Sequence, residues 1–564
     1  MKLFYSNKKT RYLGIFSIII FLLLTNRLEV SIQIKSFAVI LFGLIYYQYF
    51  PELKKTFNIK QNYFALILLF IFFMFTQNQF LNYETISLDT PSYLVASQNV
   101  GFDELPLEKQ WESKGPLFMY LYNFLSFLGN DNLVYFKLLN DILLFLVVLV
   151  LFYTLLLNLR NNLNSFIGSL IFTSLLSYVW YHSEFSEIYC LIFISLHFHY
   201  VNRYELNTRN LFISSLILSF STLINQATFI FYISYLFLVL RKKQRFINYK
   251  EIFSISTGAL LPHLLFIILY FQKGLLDLYI SNYIYLPFNY IGSDKFKFYE
   301  LFVWSKRYFE FNEFLYYSLV LIFIFFIIKI FNNLSDIFDD KIVFSAFIYL
   351  IASFLIYVIA GHSYEHHLFY SIYFISLFAL VFFNQKQINM IGAIVFISAI
   401  QIFSTSFIMS YNNLTNIDKV YNEYPLHALS KEIDMIFEDA DYSVLAFDHV
   451  LVLYYLQKPN ESYIIHPFNH YEDYILDELK NLNLLMTNEA SHFSYYIELE
   501  PDVIICNSQA IIEGDPVALD SYNCEIHDYK KNYYKLDTSK YEDDEKREYF
   551  FDPYKIINVY IKNS

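Results

Sequence analysis

Two short polar stretches interrupt an otherwise apolar chain: SLDTPSYLVASQNV, residues 87 to 100, and WESKGPLFMYLYNFLSFLG, residues 111 to 129. In the first, Pro91 suits the first position of a helix with Thr90 as its N-cap, which leaves Asp89 just outside the helix start with its carboxylate free to face a cavity. The same carboxylate could instead complement the helix dipole or turn the chain. In the second, Pro116 again marks a helix start, and Lys114 lies just before it, where a positive charge opposes the positive end of the dipole. An anion at that spot would be stabilised by both groups, and a phosphate or pyrophosphate is the natural candidate. The plainer reading is a lysine pointing into water or at headgroups. Together the two stretches offer a carboxylate able to act as base and a cation able to hold a leaving phosphate, and group transfer from a phosphate-linked donor needs both.

The densest polar cluster elsewhere is His362, Glu365, His366 and His367, in GHSYEHHLFYSIY at the edge of an apolar run. Ionisable groups there are candidates for holding a phosphate, protonating a leaving group or binding a metal. Imidazoles anchoring at headgroup level are the bland alternative. The H-x-x-E-H spacing also matches a zinc-protease pattern, but that needs a helix with a distant third ligand. Glu184 and Glu187 flank Ser186 in a short loop that could reach the same cavity. Their neighbouring carboxylates would help hold a divalent cation, which is the one cofactor these residues point to.

These groups must be positioned by helices in a bilayer. The 564 residues are 56% hydrophobic and 21% aromatic, and thirteen apolar runs follow one another at 12–26, 32–50, 62–80, 133–157, 164–181, 188–202, 211–224, 227–240, 252–271, 314–331, 342–360, 367–383 and 389–409. The expectation is a polytopic α-helical membrane protein with about 13 spans. No small-residue cleavage site follows the first run, which reads as an uncleaved span. With 53 Tyr and 63 Phe against 12 Gly, small-residue helix packing is not expected to dominate. Basic loops carrying Lys8, Lys9 and Arg11, then Lys54, Lys55 and Lys60, then Arg203 and Arg209, then RKKQR at 241–245 are expected to face the cytoplasm. That places 81–132, 182–187, 225–226, 272–313, 361–366 and the tail outside. The long 272–313 segment suits an interfacial helix whose Lys295, Lys297, Lys306 and Arg307 meet headgroups.

Beyond Ser410 the composition changes. Residues 411–564 hold 12 Lys/Arg against 29 Asp/Glu, while the first 410 hold 28 against 23, so an acidic tail follows a mildly basic membrane part and nucleic acid is excluded as a partner. Alternation at 443–456, 501–508 and 554–562, with a helical pattern at 472–486, predicts a small soluble α/β domain. It has no G-x-G-x-x-G and so no dinucleotide site. Cys506 and Cys524 share this tail and could pair in an oxidising compartment, or remain two thiols; Cys190 sits in an apolar run.

The order of the motifs resembles the C-type membrane glycosyltransferases, among them the dolichyl-phosphate-mannose protein mannosyltransferases and the bacterial lipid A aminoarabinose transferases. Asp89 and Tyr93 match a D-x-x-x-Y, Lys114, Pro116 and Leu117 a K-x-P-L, followed by Tyr120 and a terminal FLG at 127–129. SEFSEIY (183–189), LINQATF (223–229) and GHSYEHHLFYSIY (361–373) are similar to later external loops, so about 400 residues are covered in order. The resemblance implies Asp89 as catalytic base, Lys114 with His362, His366 and His367 as ligands of the donor phosphate, and Tyr93, Glu184, Glu187, Gln226 and Glu365 lining the cavity. It implies an enzyme moving a sugar from a polyprenyl phosphate to an acceptor hydroxyl on a lipid, glycan or protein, with inversion, in a bacterial inner membrane with the tail extracytoplasmic. This sequence departs from the family at Thr90 in place of a second acid, Gly115 in place of a first proline, and Asn225 in place of a lysine. A transporter or flippase would instead carry ionisable groups near mid-membrane and inverted repeats. Here the charges gather at one edge and no repeat is seen. A non-catalytic scaffold is the third alternative.

Overall fold

The structure, a computed structural model, describes residues 59 to 564 apart from 102, 183, 244–246, 294–297, 334, 361–363, 439, 471, 486–494, 507–531, 542–556 and 564. The first two expected spans, the basic residues before Ile59, Lys295, Lys297, His362 and Cys524 therefore lie outside the described residues. Among the described residues, seven helices are long and apolar enough to cross a membrane: Tyr63–Phe80, Leu133–Leu159, Tyr249–Gln272, Glu313–Asn332, Lys341–Ile359, Glu365–Phe382 and Gln385–Thr415. This is an integral membrane protein. The runs at 164–181, 188–202, 211–224 and 227–240 are also helical, as Asn162–Leu176, Ser186–Arg203, Thr208–Thr222 and Ile230–Lys243, with 15, 18, 15 and 14 residues.

Asparagine and aspartate start these helices by local chemistry. Asn132, Asn161, Asn207, Asn248, Asp340 and Asn384 each accept backbone N–H groups from the first turn, and at Asn248 and Asn384 a Glu or Gln three residues on completes a capping box. Bulky side chains fill most of the interior, but one seam departs from the expectation. Helices Thr208–Thr222 and Tyr249–Gln272 touch through small residues, with Ser215 and Ser219 donating to the carbonyls of Ile255 and Ala259 at 2.7 and 2.6 Å. A Cβ on Gly258 would stand 2.5 Å from the Phe212 carbonyl, so only glycine admits this approach.

Between the first described span and Leu133 runs the loop holding two short helices, Asp89–Ser97 and Pro116–Leu128. Over it lies the chain beyond Thr415. Its sheet has the order β1-β2-β4-β3, with β1 (Val444–Ala446) parallel to β2 (Val503–Cys506), and β4 (Asn558–Lys562) antiparallel to both β2 and β3 (Tyr533–Lys535). Alternation at 443–456 led to one strand, but only its start is one; a turn through His449, at φ 49°, leads into the helix Leu451–Leu456. LVLYYL is apolar throughout and buried, and such a run carries no period to tell strand from helix. Cys506 is disulfide-bonded and Cys190 is a free buried thiol.

The tail is tied to the loop at several points. Both Glu84 carboxylate oxygens accept backbone N–H groups of Leu426 and His427, at 2.9 and 3.0 Å, in the first turn of the helix Pro425–Phe437. Trp111 pairs with Ile464 as in a parallel ladder: its N–H donates to the Tyr463 carbonyl at 2.7 Å and its own carbonyl accepts from Ile465 at 3.4 Å.

Candidate active site

The helix that carries Asp89 begins two residues earlier than Thr90 and Pro91 predict. The helix runs from Asp89 itself, because the Ser87 hydroxyl accepts the Asp89 N–H at 3.1 Å and starts the turn before the proline is reached. Asp89 is therefore a first-turn acid, where an anion is favoured. Its Oδ1 lies 3.0 Å from Nε2 of His466, a residue 377 positions away in the tail. Burial alone would push this carboxyl up, but the His466 hydrogen bond and the charges of His466, His366 and Lys114 outweigh it and hold the pKa at about 2. Asp89 thus pulls the His466 imidazole upward against its own burial. A quarter of the Asp89 side chain remains accessible.

Lys114 arrives from the next turn of the loop. Gly115 is the N-cap of the helix Pro116–Leu128, with Pro116 at its first position. The Gly115 N–H donates to the Ile224 carbonyl at 3.0 Å, and a Cβ there would fall 2.1 Å from the Leu223 carbonyl. A proline at 115 would lose that bond, and any side chain would collide. The Lys114 ammonium stands 5.7 Å from the ring centre of Tyr93, which is fully buried edge-on against Phe118 and Tyr122.

Across from this loop, Glu187 opens the helix Ser186–Arg203 and accepts from Ser186 and from the Asn225 amide, both at 3.2 Å. Asn225 therefore serves the Glu187 carboxylate as a neutral donor. Glu187, His366 and His367 each offer a ligand atom, and all three atoms lie within 4.8 Å of one another, a carboxylate-and-imidazole set able to hold a divalent cation. The His366 ring stacks on Phe185 at 4.4 Å and contributes to the field at Asp89. Asp89, Tyr93, Lys114, Glu187, His366 and His367 are thus brought together.

Three other expected residues sit apart from this group. Glu184 is buried beside Lys137, with the Tyr122 hydroxyl on its backbone carbonyl, and burial raises its pKa. Gln226 donates to the Asn282 carbonyl at 3.4 Å, and the Asn282 amide in turn reaches the Lys114 carbonyl at 3.5 Å. Glu365 turns to Arg307 and Tyr178, each at 3.5 Å. Arg307 is accordingly not a headgroup-facing residue: it pairs inward and lies 4.3 Å over the Trp304 ring. Lys306 pairs along its own helix with Glu310.

Sequence reasoning missed Glu112 and His466. Glu112 is 2% exposed, accepts from Ser113 N–H and hydroxyl through one oxygen at 2.7 and 2.9 Å, and has no hydrogen-bond partner on the other among the described residues. Burial raises its pKa against the opposing charges of His466 and Lys114 and the Ser113 N–H, and the Asp89 charge adds to the rise. It is a buried acid of the same loop, two residues before Lys114. The W-E-S-K run held the signal for Glu112. Nothing local marked His466.

No protein-family model and no curated protein sequence matches this chain. Among solved structures, ArnT from Cupriavidus metallidurans bound to undecaprenyl phosphate matches with a TM-score of 0.56 at 8% identity, covering 88% of this chain and 97% of that one. The same protein in the apo state gives 0.50 at 9% identity, covering 78% and 91%. The match spans most of both chains, so this protein has the fold of ArnT, a lipid A aminoarabinose transferase of the GT-C fold.

Proposed function

We propose that the protein is a membrane glycosyltransferase that moves a sugar from a polyprenyl phosphate to an acceptor hydroxyl at the outer face of a bacterial inner membrane. The carrying observation is the Asp89 carboxylate, in the first turn of a loop helix and 3.0 Å from the His466 imidazole, with Lys114 within its electrostatic reach. Asp89 accepts the proton of the acceptor hydroxyl as its oxygen attacks the anomeric carbon. The bond from that carbon to the phosphate oxygen breaks, the configuration inverts, and the polyprenyl phosphate leaves with the extra negative charge. Lys114, with His366 and His367, stabilises that charge, and preorganised cations at a site poor in water do so most effectively. Glu187, His366 and His367 would hold a divalent cation if the reaction uses one, and such an ion would supply further charge stabilisation at the phosphate.

The orientation rests on the helices that leave the site. Ser186–Arg203 and Ile230–Lys243 start beside it and end at Arg203 and at Arg241, Lys242 and Lys243, the basic end that belongs in the cytoplasm. We assign 1–410 to a membrane domain of about thirteen spans with the catalytic loop 81–132, and 411–564 to an extracytoplasmic domain.

Asp89→Asn tests the reading. Transfer, followed by mass spectrometry of envelope glycolipids in cells relying on the variant, should fall by roughly 10²- to 10⁴-fold, the usual weight of a general base. Binding of undecaprenyl phosphate to the purified protein should persist. Wild-type product levels in Asp89→Asn would remove the base from this residue.

A further inference from the structure

We propose that His466 is a positioning residue for Asp89, so that the C-terminal region supplies part of the active site and does not merely cover it. The proposal rests on the glycosyltransferase reading and deepens it.

The imidazole is held from two sides. Its Nδ1 accepts the Phe468 N–H at 3.2 Å, which leaves the hydrogen of the neutral ring on Nε2, aimed at Asp89 Oδ1 3.0 Å away. In the charged ring Nε2 also carries a hydrogen, so this atom donates to Asp89 in either state. The His466 side chain is 11% exposed. With Oδ1 engaged, Oδ2 is the oxygen left to take the acceptor proton, and the carboxylate is prevented from turning about its soft terminal torsion.

The backbone before His466 is equally constrained, and by the loop that carries Glu112 and Lys114. Besides the ladder between Trp111 and 463–465, the Gln110 amide donates to the Asn460 and Ser462 carbonyls at 3.1 and 3.3 Å and accepts the Asn460 N–H at 3.0 Å. The Tyr463 hydroxyl reaches back to the Leu107 carbonyl. One clamp between 107–111 and 460–465 therefore sets both the base, through His466, and the phosphate-binding turn three residues beyond it. A tail serving only as a cover would have no need to place an imidazole 3.0 Å from the carboxylate proposed as the base.

The test uses full-length protein. His466→Ala should lower the transferred sugar by about 10- to 100-fold, the scale of a mispositioned catalytic group, while the Kd for undecaprenyl phosphate stays within about twofold. His466→Gln, whose amide nitrogen can occupy the place of Nε2, should recover most of the loss. Gln110→Ala loosens the clamp that sets both groups, so it should lower transfer as His466→Ala does, weaken undecaprenyl phosphate binding as well, and add less than its full loss of transfer in the double variant. Wild-type transfer in His466→Ala, or a Gln variant no better than Ala, overturns the proposal. NMR of the labelled His466 ring reads the pairing without turnover: Asp89→Asn should move its nitrogen signals, and unmoved signals refute the contact. Transfer lost in Asp89→Asn but kept in His466→Ala would leave the enzyme reading intact and sink only this inference. A wild type that moves no sugar, with the His466 signal still responding to Asp89→Asn, would sink the enzyme reading and the positioning role but not the pairing.

Discussion

Lys114 is half-buried above the Tyr93 ring, within electrostatic reach of Asp89 and Glu112. A phosphate arriving there would gain charge-assisted hydrogen bonds of about 1.5–3 kcal/mol. Lys114→Ala should therefore weaken undecaprenyl phosphate binding by roughly 10- to 100-fold, with Lys114→Arg intermediate because the guanidinium is a wider, planar donor. Titration of the purified protein with that lipid decides it, and an unchanged Kd would take Lys114 out of the phosphate site. Asp89 and Lys114 were legible in the sequence because each sits at a proline-marked helix start, a signal that spans only a few residues. Glu112 was within reach of the same reasoning but was passed over for position 90, where the family carries its second acid. His466 had no comparable mark: a histidine before a proline in an α/β tail is ordinary until folding brings it across 377 residues.

The helices themselves were the most legible elements, since apolar runs of bilayer length need no partner to be recognised. Their ends were less so. Ser87, and not Thr90, decides where the Asp89 helix begins, and the short β3 carried no pattern long enough to read. Glu84 shows why loop-to-tail docking escaped notice. It sits in a polar loop and looks like a solvated acid, yet it is fully buried with both oxygens on the first turn of Pro425–Phe437. Burial, opposed by those N–H bonds and by the Lys137 charge, pushes its pKa up to about 7. The folded protein therefore holds a proton there that the unfolded chain releases near pH 4.5, so the Glu84 contribution is largest below that pH and declines as pH rises through 7. The decline is on the order of 3 kcal/mol. Glu84→Gln removes the titration, so the thermal midpoint of wild type relative to this variant should drop between pH 4.5 and 7. A pH-independent difference would mean the carboxyl is ionised throughout.

At the scale of the whole molecule, the composition changes after Ser410, inside the helix Gln385–Thr415, and reading two units from that break is natural. The packing joins them. One apolar cluster runs without interruption from Phe73, Leu81 and Tyr93 through Tyr424, Leu426 and Leu429 to Val444, Leu453, Val503 and Val559. The Gln98 amide bonds the Tyr454 carbonyl at 2.9 Å, and the Ser126 hydroxyl lies 2.7 Å from the Tyr454 hydroxyl. Such contacts, more than 300 residues apart in sequence, have no local signature and arise only when both partners are folded. They also carry a thermodynamic consequence. If the tail were a separable module, heating would release it first, in a transition that leaves the loop 81–132 native. A shared core instead predicts that the sheet and the loop lose structure together. Hydrogen exchange on the full chain in lipid nanodiscs should show amides of β1 and β2 opening at the same free energy as those of Asp89–Ser97, and His466→Ala should lower both alike. Earlier exchange of the strands with the loop still protected would show that the tail opens alone, and Asp89 would then lose its imidazole each time it did.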